Sequence, residues 1–215
     1  VDAGSGPPLV ALHGLAGTAR RHLGRIIDWL SADDAEPGPF RVLAPNLRGY
    51  GGSTPKPRDF PPDFYHRDAG DVLAFLDALG IDRAHLMGYS DGGEVALIAA
   101  GRQPGRFRSV IVWGASGYFS PALGQVLSTP GYKESLRPTP TVMTLHGILD
   151  GEAFAQGWID AVRGMVEAGG DVSLSLAARI TAPLLMMMGR QDHLNFAADA
   201  RRIAERAPDG RLELF

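Results

Sequence analysis

The apolar residues of this chain gather in short, nearly continuous runs separated by stretches of helical period. Leu9 to Leu12, Phe40 to Ala44, His85 to Met87, Val110 to Trp113 and Pro183 to Met188 are such runs. They lack the in–out alternation of a half-exposed sheet, so they predict strands buried on both faces. A last strand pattern covers Leu212 to Phe215. Between the runs, Leu23 to Leu30 is moderately amphipathic and leads into a polar, proline-bearing loop. Arg67 to Leu79 places Val72, Phe75, Leu76 and Leu79 on one helical stripe, and Gly80 stops it. Gly92 to Gly101 and Phe196 to Ala207 predict two more helices, the second with Asn195 as its N-cap. Strand and helix alternate, which argues for a mainly parallel sheet with helices on both faces.

The rhythm breaks between residues 117 and 178. Helical pieces dominate there, chiefly Phe154 to Glu167, and Pro121, Pro130, Pro138 and Pro140 separate them. An insertion of this kind between core strands predicts a helical lid over the strand ends. The predicted organisation is a discontinuous core, 1–116 and 179–215, with a lid at 117–178.

Composition narrows the options. A chain of 215 residues, 45% hydrophobic, can bury a substantial core as one domain with an insertion. A net charge of -3 gives no electrostatic reason to expect nucleic acid or an anionic membrane as partner. The chain has no cysteine, which excludes disulfides, thiolate metal sites and a cysteine nucleophile and fits a reducing cytoplasm, the location predicted here. No apolar run approaches the ~18 residues that span a bilayer. The successive methionines 186–188 read as adaptable core filler rather than a metal or redox box. No cofactor or metal site is predicted. The chain starts at Val1 rather than methionine, so a processed N-terminus is compatible with it.

The chemistry centres on Gly88-Tyr89-Ser90-Asp91-Gly92. It follows a strand pattern and opens a helical one, the context a nucleophile elbow requires. A serine at the tip of so tight a turn has a strained backbone, and its neighbours at two residues' distance must be small. Its hydroxyl then stands clear of the sheet, facing the free N–H groups of the following helix. Ser90 is the candidate nucleophile. Upstream, His13-Gly14-Leu15-Ala16-Gly17 leaves the first run in a glycine-rich turn, and the Leu15 N–H is placed as one donor of an oxyanion hole. His13 suits the turn better than a catalytic role. Arg48, in a second glycine-rich turn at 46–53, is expected to hold that loop rather than touch substrate. Asp192 leaves the methionine strand where the acidic partner of a Ser…Asp…His series belongs; capping the following helix is its alternative role, which Asn195 fills better.

A serine and an aspartate still need an imidazole to take the hydroxyl proton. None of the six histidines suits the task. His22, His66 and His85 fall in covering helices or a strand, and His193 adjoins Asp192 too closely to be oriented by it. His146 lies in the predicted lid. The chain is therefore expected to be a fragment, inactive alone, lacking N-terminal strands and the histidine.

Several longer stretches resemble the α/β-hydrolase superfamily and, within it, the valacyclovir hydrolases or biphenyl hydrolase-like proteins. They are Arg48-Gly49-Tyr50-Gly51-x-Ser53, Arg58-Asp59-Phe60-Pro61-x-Asp63-Phe64-x-x-Arg67-Asp68-Ala69, Gly88-x-Ser90-Asp91-Gly92-Gly93, Ala96 to Ala100 and Val112-Trp113-Gly114-Ala115. The similarity is dense over residues 40–118, thin through the insertion, where Trp158 and Asp160 match best, and weaker from Pro183 to Asp192. Asn46 stands where the family has aspartate, and His193-Leu194-Asn195 replaces a proline-rich loop. The resemblance implies an α/β-hydrolase fold, Ser90 as nucleophile, Asp192 as triad acid, and the N–H groups of Leu15 and Asp91 as oxyanion donors. It also implies a histidine roughly five residues past Phe215. The family's preference for α-amino acid esters, together with a carboxylate beside the nucleophile, marks Asp91 as a candidate binder of the substrate's ammonium group. The expected activity is hydrolysis of small carboxylic esters through an acyl-enzyme, α-amino acid esters being one candidate class. A carbon–carbon bond hydrolase or haloperoxidase on the same triad, or a non-catalytic ligand binder, is the alternative.

Overall fold

The computed structural model describes residues 1–34 and 39–215; residues 35–38, in the proline-bearing loop after the first helix, lie outside the described residues. Seven strands form one sheet: β1 (Asp2–Ala3), β2 (Pro8–Leu12), β3 (Arg41–Leu43), β4 (Ala84–Tyr89), β5 (Phe107–Trp113), β6 (Leu184–Met188) and β7 (Gly210–Leu214). Their order is β1-β3-β2-β4-β5-β6-β7. Every neighbouring pair is parallel except β1 with β3. The register sets Val10 beside Leu86, Leu86 beside Val110 and Val110 beside Leu184. β1 has only two residues and no apolar run, so hydrophobic patterning does not reveal it.

The continuous runs have a simple cause. Along β2, Val10 and Leu12 face one core while Leu9 and Ala11 face another, because successive side chains point to opposite sides of a strand. The larger core packs β2, β4, β5 and β6 against α2 (Phe64–Ala78), α3 (Asp91–Arg102) and α8 (Ala197–Arg206). The smaller packs β2, β3 and β4 against α1 (Ala19–Ser31) through Leu23, Ile27 and Leu30. Cover is uneven. On the α1 side Ile111 of β5 is 36% exposed, and Met187 of β6 is half-buried.

Between β5 and β6 run α4 (Pro121–Leu127), α5 (Tyr132–Leu136), α6 (Pro140–His146) and α7 (Gly151–Glu167). Pro121 and Pro140 open their helices rather than merely separating them, which fits the missing N–H at a first helical position. Trp158, Ile159 and Val162 of α7 join the larger core. Among the described residues, no helix is long and apolar enough to cross a membrane.

One expected cap is not there. α8 starts at Ala197 with Phe196 at its N-cap and no side-chain cap bond. The Asn195 side chain is instead turned to Asp192, with Nδ2 donating to Oδ2 at 3.3 Å, and its oxygen takes no helix N–H. Leu79, read as the last residue of the α2 stripe, lies beyond the helix at its C-cap and is 41% exposed.

The loops that leave β2, β4, β5 and β6 all emerge at the carboxyl edge of the sheet, where α/β folds carry their sites. Packing there is tight. A Cβ on Gly92 would sit 2.5 Å from the Leu12 carbonyl oxygen, whereas a Cβ on Gly24, inside α1, meets nothing within 4 Å. Gly92→Ala should lower the unfolding free energy by about 1–3 kcal/mol, and Gly24→Ala should raise it by about 0.5–1 kcal/mol. Urea unfolding of the two variants checks both signs.

Candidate active site

Ser90 sits between β4 and α3 with φ 54° and ψ -125°. Among the described residues, the only other non-glycine residue with positive φ is Ala16, in the loop after β2. Such a conformation costs an L-residue on the order of 1–3 kcal/mol and needs its surroundings to hold it. Here the Ser90 N–H donates to the Trp113 carbonyl at 2.9 Å, and the Ser90 carbonyl accepts from Gly93 N–H at 2.7 Å. The small neighbours are required by contact. A Cβ on Gly88 would lie 2.2 Å from the Gly92 carbonyl oxygen, and one on Gly14 would lie 2.9 Å from the Ser90 Cβ. The 13–17 loop therefore abuts the serine.

Two buried histidines brace that loop. His13 is buried, and its Nε2 accepts from Leu47 N–H at 3.0 Å, so Nδ1 carries the proton and donates to the Gly14 carbonyl at 2.9 Å. Burial pushes the His13 ring down to about 4, which keeps it neutral. His146, from α6, accepts from Gly51 N–H at Nδ1 (2.9 Å), leaving Nε2 to donate to the Ala16 carbonyl at 3.0 Å. Among the described residues, the N–H groups of Leu15 and Asp91 have no hydrogen-bond acceptor.

Ser90, Asp91, Tyr65, Glu94, Trp158 and Asn195 line one small cavity with free volume of about 20 Å³, room for a water or two. Asp91 forms one of its polar walls. The Tyr65 hydroxyl donates to Oδ1 at 2.8 Å and Trp158 Nε1–H donates to the same atom at 3.3 Å, while Oδ2 is buried without a partner. Burial pushes the Asp91 carboxyl up to about 6; the Tyr65 hydrogen bond and the Arg58 charge oppose that rise. Arg58 is itself buried, paired with Asp68 at 2.7 Å and set against the rings of Tyr50, Phe60 and Phe64. Glu94, one turn on from Asp91, accepts from the N–H groups of Ser116 at 2.8 Å and Gly117 at 3.0 Å; burial pushes it up to about 7.

Asp192 lies in the loop after β6. Its Oδ1 accepts from the N–H groups of Leu194 at 2.9 Å and Asn195 at 2.8 Å. Asn195 spans the gap, since it touches Asp192 and also lines the serine cavity. The end of β7 is adjacent: Phe215 N–H donates to the Met188 carbonyl at 2.9 Å.

Of the remaining histidines, His22 adds a third contact to the 13–17 loop, and the others face elsewhere. His22 accepts from Gly14 N–H at 3.3 Å, His66 contacts the Val172 carbonyl and Arg102, and His85 contacts Ser109. His193 is exposed. Among the described residues, no hydrogen bond joins a histidine to Ser90 or Asp192. Arg48 forms a two-pronged pair with Asp71, at 2.7 and 2.6 Å, and lines no part of the serine cavity, in keeping with a loop-holding role. Asn46, the departure from the family noted in the second glycine-rich turn, accepts from Ala19 N–H at 3.0 Å at the start of α1.

Sequence reasoning missed Tyr65 and Glu94 as cavity residues. Glu94 carried a signal, a lone carboxylate in a helix whose other residues from Gly92 to Gly101 are small or apolar. Tyr65 carried none: it falls before the predicted helix Arg67 to Leu79, and only the observed α2, which starts at Phe64, turns it toward Asp91.

Residues 7–137 match the family described as alpha/beta hydrolase fold. The chain belongs to this family. It is 33% identical over 82% of its length to the human serine hydrolase BPHL, and it spans 62% of that protein. It is 27% identical, over its whole length, to the 2-hydroxy-6-oxo-6-phenylhexa-2,4-dienoate hydrolase of Burkholderia cepacia, of which it covers 81%. Among solved structures, the hydrolase for the same dienoate from Rhodococcus superposes with TM-score 0.75 at 22% identity, matching the whole chain and 84% of that protein. The resemblance to the biphenyl hydrolase-like group is thus matched by a relative of that name.

The Asp91 environment sets a pH dependence. Its carboxyl is raised from an ordinary 3.8 to about 6, so the unfolded chain ionises first as pH rises. Burial of Asp91 therefore favours folding below that range and costs stability progressively up to about pH 6. Asp91→Asn removes this dependence. Urea unfolding at pH 4, 5 and 6 should show the variant gaining on the native chain with each step, by at most about 1.4 kcal/mol per unit. A variant that loses ground to the native chain as pH rises over this range would contradict the assignment.

Proposed function

We propose that the whole protein is a serine hydrolase of small carboxylic esters, with Ser90 as nucleophile. The observation that carries this reading is the backbone of Ser90, held at positive φ between β4 and α3, with the unpaired N–H groups of Leu15 in the adjacent loop and Asp91 at the start of α3. In this reading Ser90 Oγ attacks the ester carbonyl carbon, and its proton passes to an imidazole. The Leu15 and Asp91 N–H groups hold the oxyanion, each worth roughly 10²–10³ in rate by analogy with measured donors. The tetrahedral adduct expels the alcohol, which takes the proton back, and water releases the acyl group by the same steps in reverse. Asp192 orients the imidazole. That base is none of the six histidines here; the family's chain order puts it after Asp192, past β7.

Asp91 supplies the specificity. Its buried, unpartnered Oδ2 beside the nucleophile suits a substrate cation, which would complete its hydrogen bonding and stabilise its ionised form. An α-ammonium group on the acyl side is such a cation, so aminoacyl esters are the proposed substrates. A second reading draws on the Burkholderia relative named for a dienoate substrate. A dienoate is an anion, and placing it against Asp91 is unfavourable; that favours the ester reading.

Two variants of the full-length protein test this. Ser90→Ala should abolish ester turnover, with a loss of at least about 10³-fold. Asp91→Ala should raise KM for aminoacyl esters about tenfold or more while sparing neutral esters of the same alcohol. Equal losses on both ester classes would remove the ammonium role.

A further inference from the structure

The Ser90 cavity has two walls from different parts of the chain. One is the carboxyl edge of the sheet with α3. The other is the helical segment between β5 and β6, which contributes Leu123, Trp158 and Val162. That segment leaves and rejoins the sheet through a narrow neck, residues 116–119 outbound and 170–173 inbound. The two neck strands are tied to each other, with Phe119 N–H donating to the Gly170 carbonyl at 2.8 Å and Ser173 N–H to the Gly117 carbonyl at 2.8 Å. Gly117 is confined on every side: φ is +67°, and a Cβ there would meet Ser173 Oγ at 2.6 Å and Ile203 Cγ1 at 2.7 Å.

Those bonds join the neck to itself. What ties it to the elbow is Glu94. Oε1 accepts from Ser116 N–H at 2.8 Å and Gly117 N–H at 3.1 Å, and Oε2 accepts from Gly117 N–H at 3.0 Å. The Glu94 N–H in turn donates to the Ser90 carbonyl at 3.2 Å. A buried carboxylate thus connects the nucleophile's own peptide to the first turn of the opposite wall. A second tie, Ser120 to Asp199 of α8, holds the neck from the far side and does not reach the cavity.

We propose that Glu94 is a positioning residue that fastens the Ser116–Gly117 turn to the elbow helix and thereby sets the gap between Ser90 and the wall bearing Leu123 and Trp158, limiting the size of acyl group admitted. Its role in selectivity rests on the ester reading of Ser90; the clamp itself does not. An apolar residue of similar bulk fills the same space and offers no acceptor, leaving two buried N–H groups unpaired, an arrangement proteins avoid. The neck must then move to find water, and the wall moves with it.

Full-length Glu94→Leu and Glu94→Gln test the proposal with two readouts. In Glu94→Leu, amide hydrogen exchange at 116 and 117 should rise at least about tenfold, with core amides of β4 and β5 unchanged. The ratio of kcat/KM for a hexanoyl over an acetyl ester should shift toward the longer chain by about threefold or more. Glu94→Gln, which keeps one acceptor oxygen, should restore most of both. A merely structural role would spread faster exchange through the sheet and lower both esters alike. Unchanged exchange at 116 and 117, exchange raised throughout the sheet, or faster neck exchange with an unmoved ester ratio overturns the proposal. If Glu94→Leu does not fold, Glu94→Met, of similar bulk and also without a carboxylate, takes its place, and native exchange at 116 and 117 with native selectivity in that variant overturns the proposal equally. Absence of ester turnover in the native protein would sink the ester reading, while the exchange comparison would still decide whether Glu94 clamps the neck.

Discussion

The structure depends on the near-contact of three backbone segments at the carboxyl edge of the sheet: the end of β2, the turn from β4 into α3, and the start of α3 itself. Gly88, Gly92 and Gly14 are there because any side chain would overlap a carbonyl or the Ser90 Cβ. This crowding is what keeps Ser90 in its unfavourable conformation. The strain of roughly 1–3 kcal/mol is offset by hydrogen bonds from both sides, to Trp113 above and from Gly93 and Glu94 below.

Around this turn the protein buries an unusual amount of charge. Arg58 and Asp68 pair where both side chains are almost fully buried, and Asp91 and Glu94 lie one helical turn apart in the same cavity wall. Each carboxylate is supplied with donors, Asp91 by Tyr65 and Trp158, Glu94 by two backbone amides. The two differ in completeness. Both Glu94 oxygens are occupied, whereas Asp91 presents one buried oxygen with no partner. Burial of an unsatisfied acceptor is costly, which is why the same residue that looks like a flaw in packing reads as a place for a ligand.

Much of the fold was legible because two-sided burial leaves a plain mark: Val10 and Leu86 face one core, Leu9 and Met87 the other, and the runs are continuous. β1 was illegible, being two residues with no pattern. The elbow was legible because sterics dictate small residues at fixed offsets from Ser90. The cap expected at Asn195 is absent because a local rule ranks candidate caps without seeing that the chain turns the Asn195 side chain toward Asp192 and sets Phe196 at the helix start. Glu94 stood out as a lone carboxylate in its helix, but its partners at 116 and 117, like the bond from Tyr65 to Asp91, lie more than twenty residues away and emerge only in three dimensions. The histidine environments were partly readable; His13 suited its turn as expected, while the bracing role of His146 on the Ala16 loop emerges only in three dimensions.

The central claim is that the strained backbone at residue 90 presents a hydroxyl made reactive by its setting. The most direct measurement is the site of covalent capture by a fluorophosphonate ester in the full-length protein, read by peptide mass spectrometry. The account predicts a single phosphonyl adduct on the Ser90 peptide, formed at neutral pH and absent after heat unfolding. Capture at another residue, or none in folded protein, would contradict it.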